Sequence, residues 1–467
     1  MATKQHNQMT GADLHPNALD GTTGTELSVA SRAIYDTRYG FRNPTFTVAP
    51  SGTAADYNTT GTNDQTVVQS AIDAVAASGG GRVLLRNGTY NFSAGTNLTL
   101  GGKAVSIIGE GYGTIIKNLA TSSSAANSLF NITGAVTVGA DFIEIGNFQM
   151  QGNATGGMGI RLNSCYQGVV QPILGKSFTA GSGWGVVLWL NASIDMTIIN
   201  PVLTGNSYAG MQFGGSSNAN TIIGGWIYGQ PSGGAGIRSG SSNKNTFIGT
   251  IIETNTDYGA VVAGGRYTQF INCWIENNGN TGLYCDELST VIDGCWFTLN
   301  TLDIDVRATQ TDMQVLNNRF NDGGKITLRS GAAGVNIHDN INLTTLTDNG
   351  ATGLSVKNNG AFNPDVLYAQ DNVTGAITFN RANGSTITAT LTGNITPTLT
   401  NGKALNDTLT LKLTQDATGS RTVTWPSNFK KAGGALTLST GVSAIDVIQM
   451  RWDGTNWVEV SRALNIS

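Results

Sequence analysis

The chain has 467 residues, with 26 Lys and Arg against 30 Asp and Glu, and this formal net charge of −4 excludes the basic surface that a nucleic-acid partner requires. Charged residues make up only 12% whereas glycine alone contributes 62 positions, a composition typical of turns and strands rather than helices. No stretch approaches the ~18 consecutive apolar residues of a membrane span, and the first residues, MATKQHNQMT, lack the apolar region of a signal peptide, so we expect a soluble protein without membrane insertion or a cleavable export signal.

The first element is a polar N-terminal segment, residues 1–43, which is poor in large apolar side chains and too short for a core of its own. It is followed by TNDQTVVQSAIDAVAAS, which predicts an amphipathic helix with Asn63 as N-cap and Asp64 in the first turn. Its apolar face is predicted to consist of Val67, Val68, Ala71, Ile72 and Val75.

Two strand-like segments come next, GGGRVLLRNGTYNF and AVSIIGEGYGTIIK. The glycine-rich GEGYG inside the second segment could cradle a phosphate only if it led into a helix. Because the strand-like TIIK follows it, we interpret GEGYG as a tight turn between strands.

The middle of the chain repeats. Residues 270–300 contain a Cys-Trp pair twice, 22 positions apart, and similar segments recur every 21 to 29 residues. Each segment has a short β-rich run, a Gly/Asn turn and a second short run, without a helical pattern between them. Such a period predicts a solenoid of parallel strands, and the Leu/Asn consensus of leucine-rich repeats is absent. The last large apolar residue of each segment provides the alignment: Met150, Leu174, Leu203, Ile227, Ile252, Ile275, Phe297, Phe320 and Ile341.

A helix followed by GGGRVLLRNGTY and IIGEG resembles the start of the pectate-lyase-like superfamily of right-handed parallel β-helices, which includes bacteriophage tailspikes. The resemblance covers roughly residues 46–345. It departs from the family mildly, since TND stands where paired aspartates are usual. It implies an all-β fold, a right-handed parallel β-helix over residues 44–360 whose N-terminal end is capped by the helix.

Past residue 360 the repeat stops and apolar and polar residues alternate, with turn signals at Asn401-Gly402, Thr418-Gly419 and Asp453-Gly454. This pattern predicts an antiparallel β-sandwich over residues 361–467. The segment resembles the C-terminal domains of phage tail fibres and tailspikes, which serve trimerisation or carbohydrate attachment, and residues 1–43 resemble the adaptor ends of phage tail proteins. The resemblance therefore implies a homotrimer in the virion, attached to the phage tail or baseplate by its N-terminus.

The alignment also predicts which side chains share an outer face of the solenoid. Successive side chains of a strand alternate between faces, so inward anchors and inward Cys273 and Cys295 imply outward side chains on either side of each anchor. The residues placed outward on one sheet face are Trp226, Tyr228, Glu253, Trp274, Glu276 and Trp296.

This face predicts a polysaccharide groove. Neighbouring strands lie about 4.8 Å apart, so Glu253 and Glu276 would be close enough to share a proton and to act as the catalytic acid and base of a glycoside hydrolase. Trp226, Tyr228, Trp274 and Trp296 would offer flat apolar faces to sugar rings. Asn272 and Asn278, together with Asn300, would bind hydroxyl groups.

Two other interpretations of this face stay open, the seam of a trimer and an ordinary solvated surface. Other acids also compete for a role. Asp286 is predicted beside Arg307 as a structural ion pair, and Asp303 and Asp305 are predicted to face outward, where they would pair with Asp286 or Glu287.

Several chemistries are disfavoured by the composition. Only three histidines occur, and His338 alone falls in the repeat, which argues against a Ser-His-Asp triad. The four cysteines lack metal-ligand spacing and are predicted to be apolar core residues. No dense Asp cluster is present for Ca²⁺, so we expect neither a metal nor a cofactor.

The sequence thus predicts a tailspike-like receptor-binding protein that recognises a bacterial surface polysaccharide, capsule or lipopolysaccharide, and depolymerises it outside the host cell. The alternatives are a receptor-binding tail fibre without chemistry and a polysaccharide lyase. A free-living degrading enzyme would need the export signal that the sequence does not show.

Overall fold

The computed structural model describes residues 44–466 apart from 123, 125–126, 135–140, 156, 180–184, 308, 353, 358, 360–366, 382 and 401–405. The predicted adaptor segment 1–43 lies outside the described residues. The chain divides into two compact units, the first ending at Val202 and the second beginning at Leu203. We describe each unit separately.

The first unit contains one helix, α1 (Gln65–Ala77), and fifteen strands among its described residues. The strands are β1 (Thr45–Pro50), β2 (Tyr57–Thr59), β3 (Gly80–Leu85), β4 (Gly88–Phe92), β5 (Thr96–Thr99), β6 (Ala104–Gly109), β7 (Thr114–Asn118), β8 (Phe130–Thr133), β9 (Phe142–Gly146), β10 (Phe148–Gln151), β11 (Ile160–Asn163), β12 (Tyr166–Val170), β13 (Ile173–Lys176), β14 (Val186–Asn191) and β15 (Ile194–Ile199).

The strand at the boundary is β16 (Val202–Thr204), and the described part of the second unit adds 24 more strands. They are β17 (Ala209–Gly214), β18 (Thr221–Ile223), β19 (Trp226–Tyr228), β20 (Ala235–Gly240), β21 (Thr246–Ile248), β22 (Ile251–Glu253), β23 (Tyr258–Arg266), β24 (Gln269–Ile271), β25 (Trp274–Glu276), β26 (Thr281–Leu288), β27 (Val291–Asp293), β28 (Trp296–Thr298), β29 (Leu302–Val306), β30 (Gln314–Leu316), β31 (Arg319–Leu328), β32 (Asn336–His338), β33 (Ile341–Asp348), β34 (Ser355–Lys357), β35 (Leu367–Phe379), β36 (Thr386–Leu399), β37 (Thr408–Gln415), β38 (Phe429–Lys430), β39 (Ile445–Trp452) and β40 (Trp457–Ile466).

The first unit is a parallel β-solenoid with three strands in each turn. One wall consists of β1, β3, β6, β9, β12 and β15, and two further walls consist of β4–β7–β10–β13 and β5–β8–β11–β14, all in parallel register. Inward side chains stack from turn to turn, so that Val83, Ile107 and Ile145 are register partners and are fully buried. This stacking of apolar residues forms the core of the unit.

Helix α1 is found where the sequence predicts it and packs against β1, β3 and β5. Its buried residues are Gln65, Val68, Ala71, Ile72 and Val75. The predicted N-cap is wrong by one position: Asp64 is the N-cap, because Asn63 takes a left-handed backbone with φ of 53°. The Asp64 carboxylate instead accepts the N–H groups of Gly61 and Asn91, each at 2.8 Å. The capping of the solenoid by α1 stays a prediction.

The second unit is also a parallel β-solenoid with three strands in each turn. Its first wall runs β18–β21–β24–β27–β30–β32–β34, its second wall β19–β22–β25–β28–β31, and its third wall β17–β20–β23–β26–β29–β31–β33. The predicted all-β parallel fold is confirmed. The predicted anchors of the second wall are also confirmed as a buried stack in register: Ile227, Ile252, Ile275, Phe297 and Phe320.

Two predicted anchors are out of register. Met150 pairs with Gly175 rather than with Leu174, because the buried residues of β13 are Ile173 and Gly175 and Leu174 points the other way. Ile341 pairs with Arg319 rather than with Phe320, and its side chain is 50% exposed.

Buried amides form ladders inside the corners of the second unit. Asn255 donates to Asn278 at 2.9 Å, Asn278 to Asn300 at 3.0 Å, and Asn300 to the Asp303 carboxylate at 3.0 Å. Each asparagine also bonds a backbone group of a neighbouring turn, as Asn278 does with Ile252 O. The four cysteines are all buried and unpaired, which confirms their prediction as core residues.

The last part of the chain differs from its prediction. Strands β33, β35, β36 and β37 pair in parallel. Among the described residues, antiparallel pairing occurs only between β37 and β39 and between β39 and β40. An antiparallel sandwich over residues 361–467 is therefore not confirmed. The predicted domain boundaries at 44, 360 and 467 stay predictions.

Candidate functional site

The predicted outer face exists on the second wall, and we call it the indole face. One row of aligned residues is Trp226, Ile251, Trp274, Trp296 and Arg319, and a second row, two positions further along each strand, is Tyr228, Glu253, Glu276 and Thr298. The residues between the rows are the buried anchors. Alternation of the side chains along each strand therefore sends both rows outward.

The aromatic rings of this face are stacked in pairs. The rings of Trp226 and Tyr228 lie 4.2 Å apart with planes 25° apart, and those of Trp274 and Trp296 lie 4.9 Å apart with planes 15° apart. Trp226 is 41% and Trp274 38% exposed, whereas Tyr228 and Trp296 are half-buried. The stacking holds the indoles in fixed positions and leaves part of their flat surface open to a ligand.

The two glutamates are register partners on adjacent strands. The Trp226 Nε1–H group donates to Glu253 Oε1 at 3.0 Å, and the Trp274 Nε1–H group donates to Glu276 Oε2 at 2.7 Å. Each carboxylate is thus oriented by an indole, and its second oxygen accepts no hydrogen bond from the described residues. Two aligned carboxylates beside exposed rings can accept sugar hydroxyls.

Arg319 extends the indole face by one turn. Its guanidinium lies over the Trp296 ring, 4.6 Å from the ring centroid, and the side chain is exposed. No carboxylate of the described residues forms an ion pair with it. The sequence placed Arg319 in this row, but it gave no signal that the guanidinium would stack on the indole.

The two predicted amides lie elsewhere. Asn278 as a ligand-binding residue is wrong: its side chain is fully buried in the amide ladder, because the residue after the strand sits at a corner where the side chain turns inward. Asn300 is buried in the same ladder. Asn272 lies in the turn between β24 and β25 with φ of 52° and is exposed, and its contact with a ligand stays a prediction.

The predicted Asp286–Arg307 ion pair is also wrong. Arg307 pairs with Asp305 at 3.3 Å, and Arg329 pairs with the same carboxylate at 2.8 Å, while Asp286 accepts a hydrogen bond from the Thr309 hydroxyl. The Asp305 side chain is only 6% exposed. Because the Arg307 guanidinium also lies over the Tyr284 ring at 5.0 Å, this cluster on the third wall is a packed ion network.

Two further acids are buried in the second unit. Burial raises the pKa of Glu287 to about 7, against hydrogen bonds from Thr268 that lower it. Burial also raises the pKa of Asp303 to about 6, and this carboxylate accepts from Asn300 and from the Lys325 N–H group. Neither belongs to the indole face. Asp303 is only 2% exposed, so its predicted outward position is wrong.

Over the described ranges, no group of three or more His, Cys, Asp or Glu side chains could hold a metal ion. Nor is any helix of those ranges long and apolar enough to cross a membrane.

Two sequence families match parts of the chain. Residues 373–457 match the family described as a phage tail fibre C-terminal domain, and residues 173–336 match NosD, described as a periplasmic copper-binding protein. Each match covers less than half of the chain. No curated protein matches the chain in sequence.

Solved structures share the fold. DFA-IIIase from Arthrobacter chlorophenolicus A6 in complex with GF2 aligns with a TM-score of 0.54 at 12% identity, over 66% of this chain and 93% of that chain. A second structure of DFA-IIIase from the same organism gives 0.52 at 11% identity, over 66% and 86%. The A-module of a mannuronan C-5 epimerase from Azotobacter vinelandii gives 0.40 at 20% identity, over 64% and 94%. At these identities the two DFA-IIIase structures establish the fold alone.

The chain is therefore of the parallel β-solenoid class, and its residues 373–457 match a phage tail fibre C-terminal domain. The predicted resemblance to phage tail proteins of the parallel β-helix type is confirmed.

Proposed function

We propose that this chain is a virion component, a phage tail protein that binds a bacterial surface polysaccharide along the indole face and cleaves it. The observation that carries the proposal is the ordered row of partly exposed indoles, two of which orient the carboxylates of Glu253 and Glu276. The tail fibre match over residues 373–457 supports the location in a virion.

In the proposed reaction, Glu253 and Glu276 act on one glycosidic bond of a polymer that lies across the strands. One protonated carboxyl gives its proton to the leaving oxygen as the glycosidic bond breaks. The other carboxylate assists the attack on the anomeric carbon, which ends bonded to the oxygen of a water molecule, and the proton that this water loses returns to the carboxyl pair. Trp226 and Trp274 hold the sugar rings on either side, so that the scissile bond lies above the carboxylate pair. We propose hydrolysis rather than elimination because the two side chains that the indoles orient are carboxylates, whereas the basic side chain of this face, Arg319, lies two strands beyond Glu276.

The decisive experiment uses Glu276→Gln. The amide keeps an acceptor for the Trp274 N–H group and removes only the charge and the exchangeable proton. With capsular polysaccharide and lipopolysaccharide preparations, release of reducing ends should fall about 100-fold or more, while binding of the polymer stays within a few-fold of wild type. Asp293→Asn, a carboxylate of the first wall, is the matched control and should keep the wild-type rate. A Glu276→Gln variant with full activity would show that Glu276 is not catalytic, and an absorbing unsaturated product would identify a lyase.

A second candidate, binding without cleavage, is favoured by the openness of the indole face. Trp226 and Trp274 lie on an exposed strand surface, and attachment to a receptor needs no enclosed reaction site. This candidate is supported if no surface glycan is cut while Trp274→Ala weakens glycan binding about ten-fold.

We further propose a homotrimer assembled through the end of the chain. Strand β40 exposes Val458 (36%), Val460 (56%), Leu464 (41%) and Ile466 (41%), and such aliphatic side chains favour contact with a second copy. Sedimentation velocity of the full chain should give a trimer that Leu464→Asp weakens. A monomeric wild type would contradict this assembly and would leave the polysaccharide proposal standing.

A further inference from the structure

A second recess lies well along the chain from the indole face. A cleft of about 910 Å³ opens in the second unit between the turn after β33 and strand β35. Its size is that of a pocket for a small organic ligand. The side chains that define its chemistry are Asp348, Gln370, Asp371, Asn372 and Asn383.

The wall of this cleft is polar and held by its own hydrogen bonds. Asp348 Oδ1 accepts the N–H groups of Gly350 at 3.0 Å and Ala351 at 2.7 Å, and its Oδ2 accepts the Tyr368 hydroxyl. Burial, together with the Asp348 carboxylate, raises the pKa of Tyr368, so the hydroxyl stays protonated. This arrangement fixes one side of the cleft before any ligand arrives.

Two oxygen atoms of the wall are acceptors without a donor. Gln370 Nε2 donates to the Tyr368 hydroxyl and to Thr378 O, each at 3.4 Å, which leaves Gln370 Oε1 unpartnered among the described residues. Asn383 is only 5% exposed, and its Oδ1 likewise has no partner there. A buried acceptor that lacks a donor costs about 1–3 kcal/mol, so a ligand that supplies donors gains from both atoms.

The charge of the cleft restricts the ligand further. Asp348 and Asp371 are acidic, and none of the described residues that line the cleft is Lys, Arg or His. An anionic ligand would meet carboxylates without a counter-charge. A ligand that is rich in hydroxyl donors would supply the unpartnered acceptors, and one without negative charge would avoid repulsion by the two carboxylates.

We propose that this cleft is a binding site for a neutral sugar residue, with Gln370 Oε1 and Asn383 Oδ1 as acceptors for its hydroxyl groups. The site is independent of the indole face and goes beyond the proposed cleavage. The cleft would give the protein a second glycan-binding site besides the indole face. When both sites bind the same polymer, the overall affinity rises although the contacts at the indole face are unchanged.

The test is saturation-transfer NMR on the full chain, with glucose, galactose, mannose, N-acetylglucosamine and galacturonate as probes. At least one neutral sugar should give a signal, and galacturonate should give none. Asn383→Leu removes one acceptor and should weaken binding of that sugar about ten-fold. Since Asn383 is buried and its replacement can unfold the region, Asp371→Arg at an exposed position of the lining provides a second variant, and it should also abolish the signal.

Trp274→Ala separates this site from the indole face. It should leave the neutral-sugar signal unchanged, while Asp371→Arg should leave depolymerisation unchanged. Signals that persist in both cleft variants, a stronger response to galacturonate, or no response to any neutral sugar would each overturn the proposal. None of these results bears on cleavage by Glu253 and Glu276.

Discussion

The buried carboxyl of Glu287 predicts that the second unit loses stability as the pH rises. The carboxyl is 1% exposed, and its Oε2 has no partner among the described residues. Burial raises its pKa from 4.5 to about 7. Between these values the folded chain keeps a proton that the unfolded chain has lost, so the free energy of unfolding decreases as the pH rises through this window.

A rise in pKa of this size contributes at most about 3 kcal/mol to the free energy of unfolding. This contribution is present below about pH 4.5 and is lost above about pH 7. Glu287→Gln removes the titration and keeps an oxygen to accept from the Thr268 N–H group, which lies 3.0 Å from Glu287 Oε1. The variant should therefore gain about 3 kcal/mol relative to wild type between about pH 4 and about pH 8. The packing difference between the acid and the amide is the same at both pH values. It therefore cancels when the difference in free energy of unfolding between variant and wild type is compared at the two pH values.

The assay is equilibrium urea unfolding of the full chain at both pH values, approached from the folded and the unfolded side. Asp322→Asn, at an exposed carboxyl of the same unit, is the matched control. The reasoning about Glu287 is refuted if the difference between the Gln variant and wild type is the same at both pH values, or if it shrinks as the pH rises.

Three other predictions concern the core, the ladder and the indole face. Phe297→Ala removes a ring stacked 5.1 Å from that of Phe320 and should lower the free energy of unfolding by about 3–5 kcal/mol; a loss below about 1 kcal/mol would contradict the buried stack. Asn278→Ala breaks the amide ladder and removes the bond to Ile252 O, so urea unfolding should show a loss of about 1–3 kcal/mol with no specific loss of glycan binding. Arg319→Ala removes an exposed guanidinium and should weaken binding of an acidic polysaccharide, but not of a neutral one, with less salt dependence in titrations.

The repeat made the indole face predictable. In a solenoid the register is the same in every turn, so aligning the buried anchors Ile252 and Ile275 also aligns Glu253 with Glu276. The strict alternation of a strand then decides which side chains point outward. For this reason the positions of Trp226 and Trp274 followed from sequence spacing alone.

The errors lie where a strand ends or a register shifts. Asn278 follows a strand, and alternation no longer describes a residue whose backbone turns a corner. The partner of Arg307 depends on the rotamers of long side chains, which alternation does not predict. Arg307 forms its ion pair with Asp305 rather than with Asp286, and Asp305 also pairs with Arg329. At the C-terminus the alternating pattern is compatible with parallel and antiparallel pairing, and the pattern alone did not separate them.

The cleft of the second unit had no sequence signal. Its lining joins Asp348 and Asn383, which are 35 positions apart, and isolated amides in loops are common in this composition. Only the coordinates show that Gln370 Oε1 and Asn383 Oδ1 lack donors.

The reversal of strand direction at β39 bears on how a coiled chain avoids growing into fibres. If the last strand of a coil were parallel, its free edge would expose the same row of N–H and C=O groups with which the strands of successive turns pair. A strand of another copy could then pair with that edge. Here β37 is covered on one side by β36 and on the other by the antiparallel β39. On this sheet the template for further identical turns therefore ends within the chain itself.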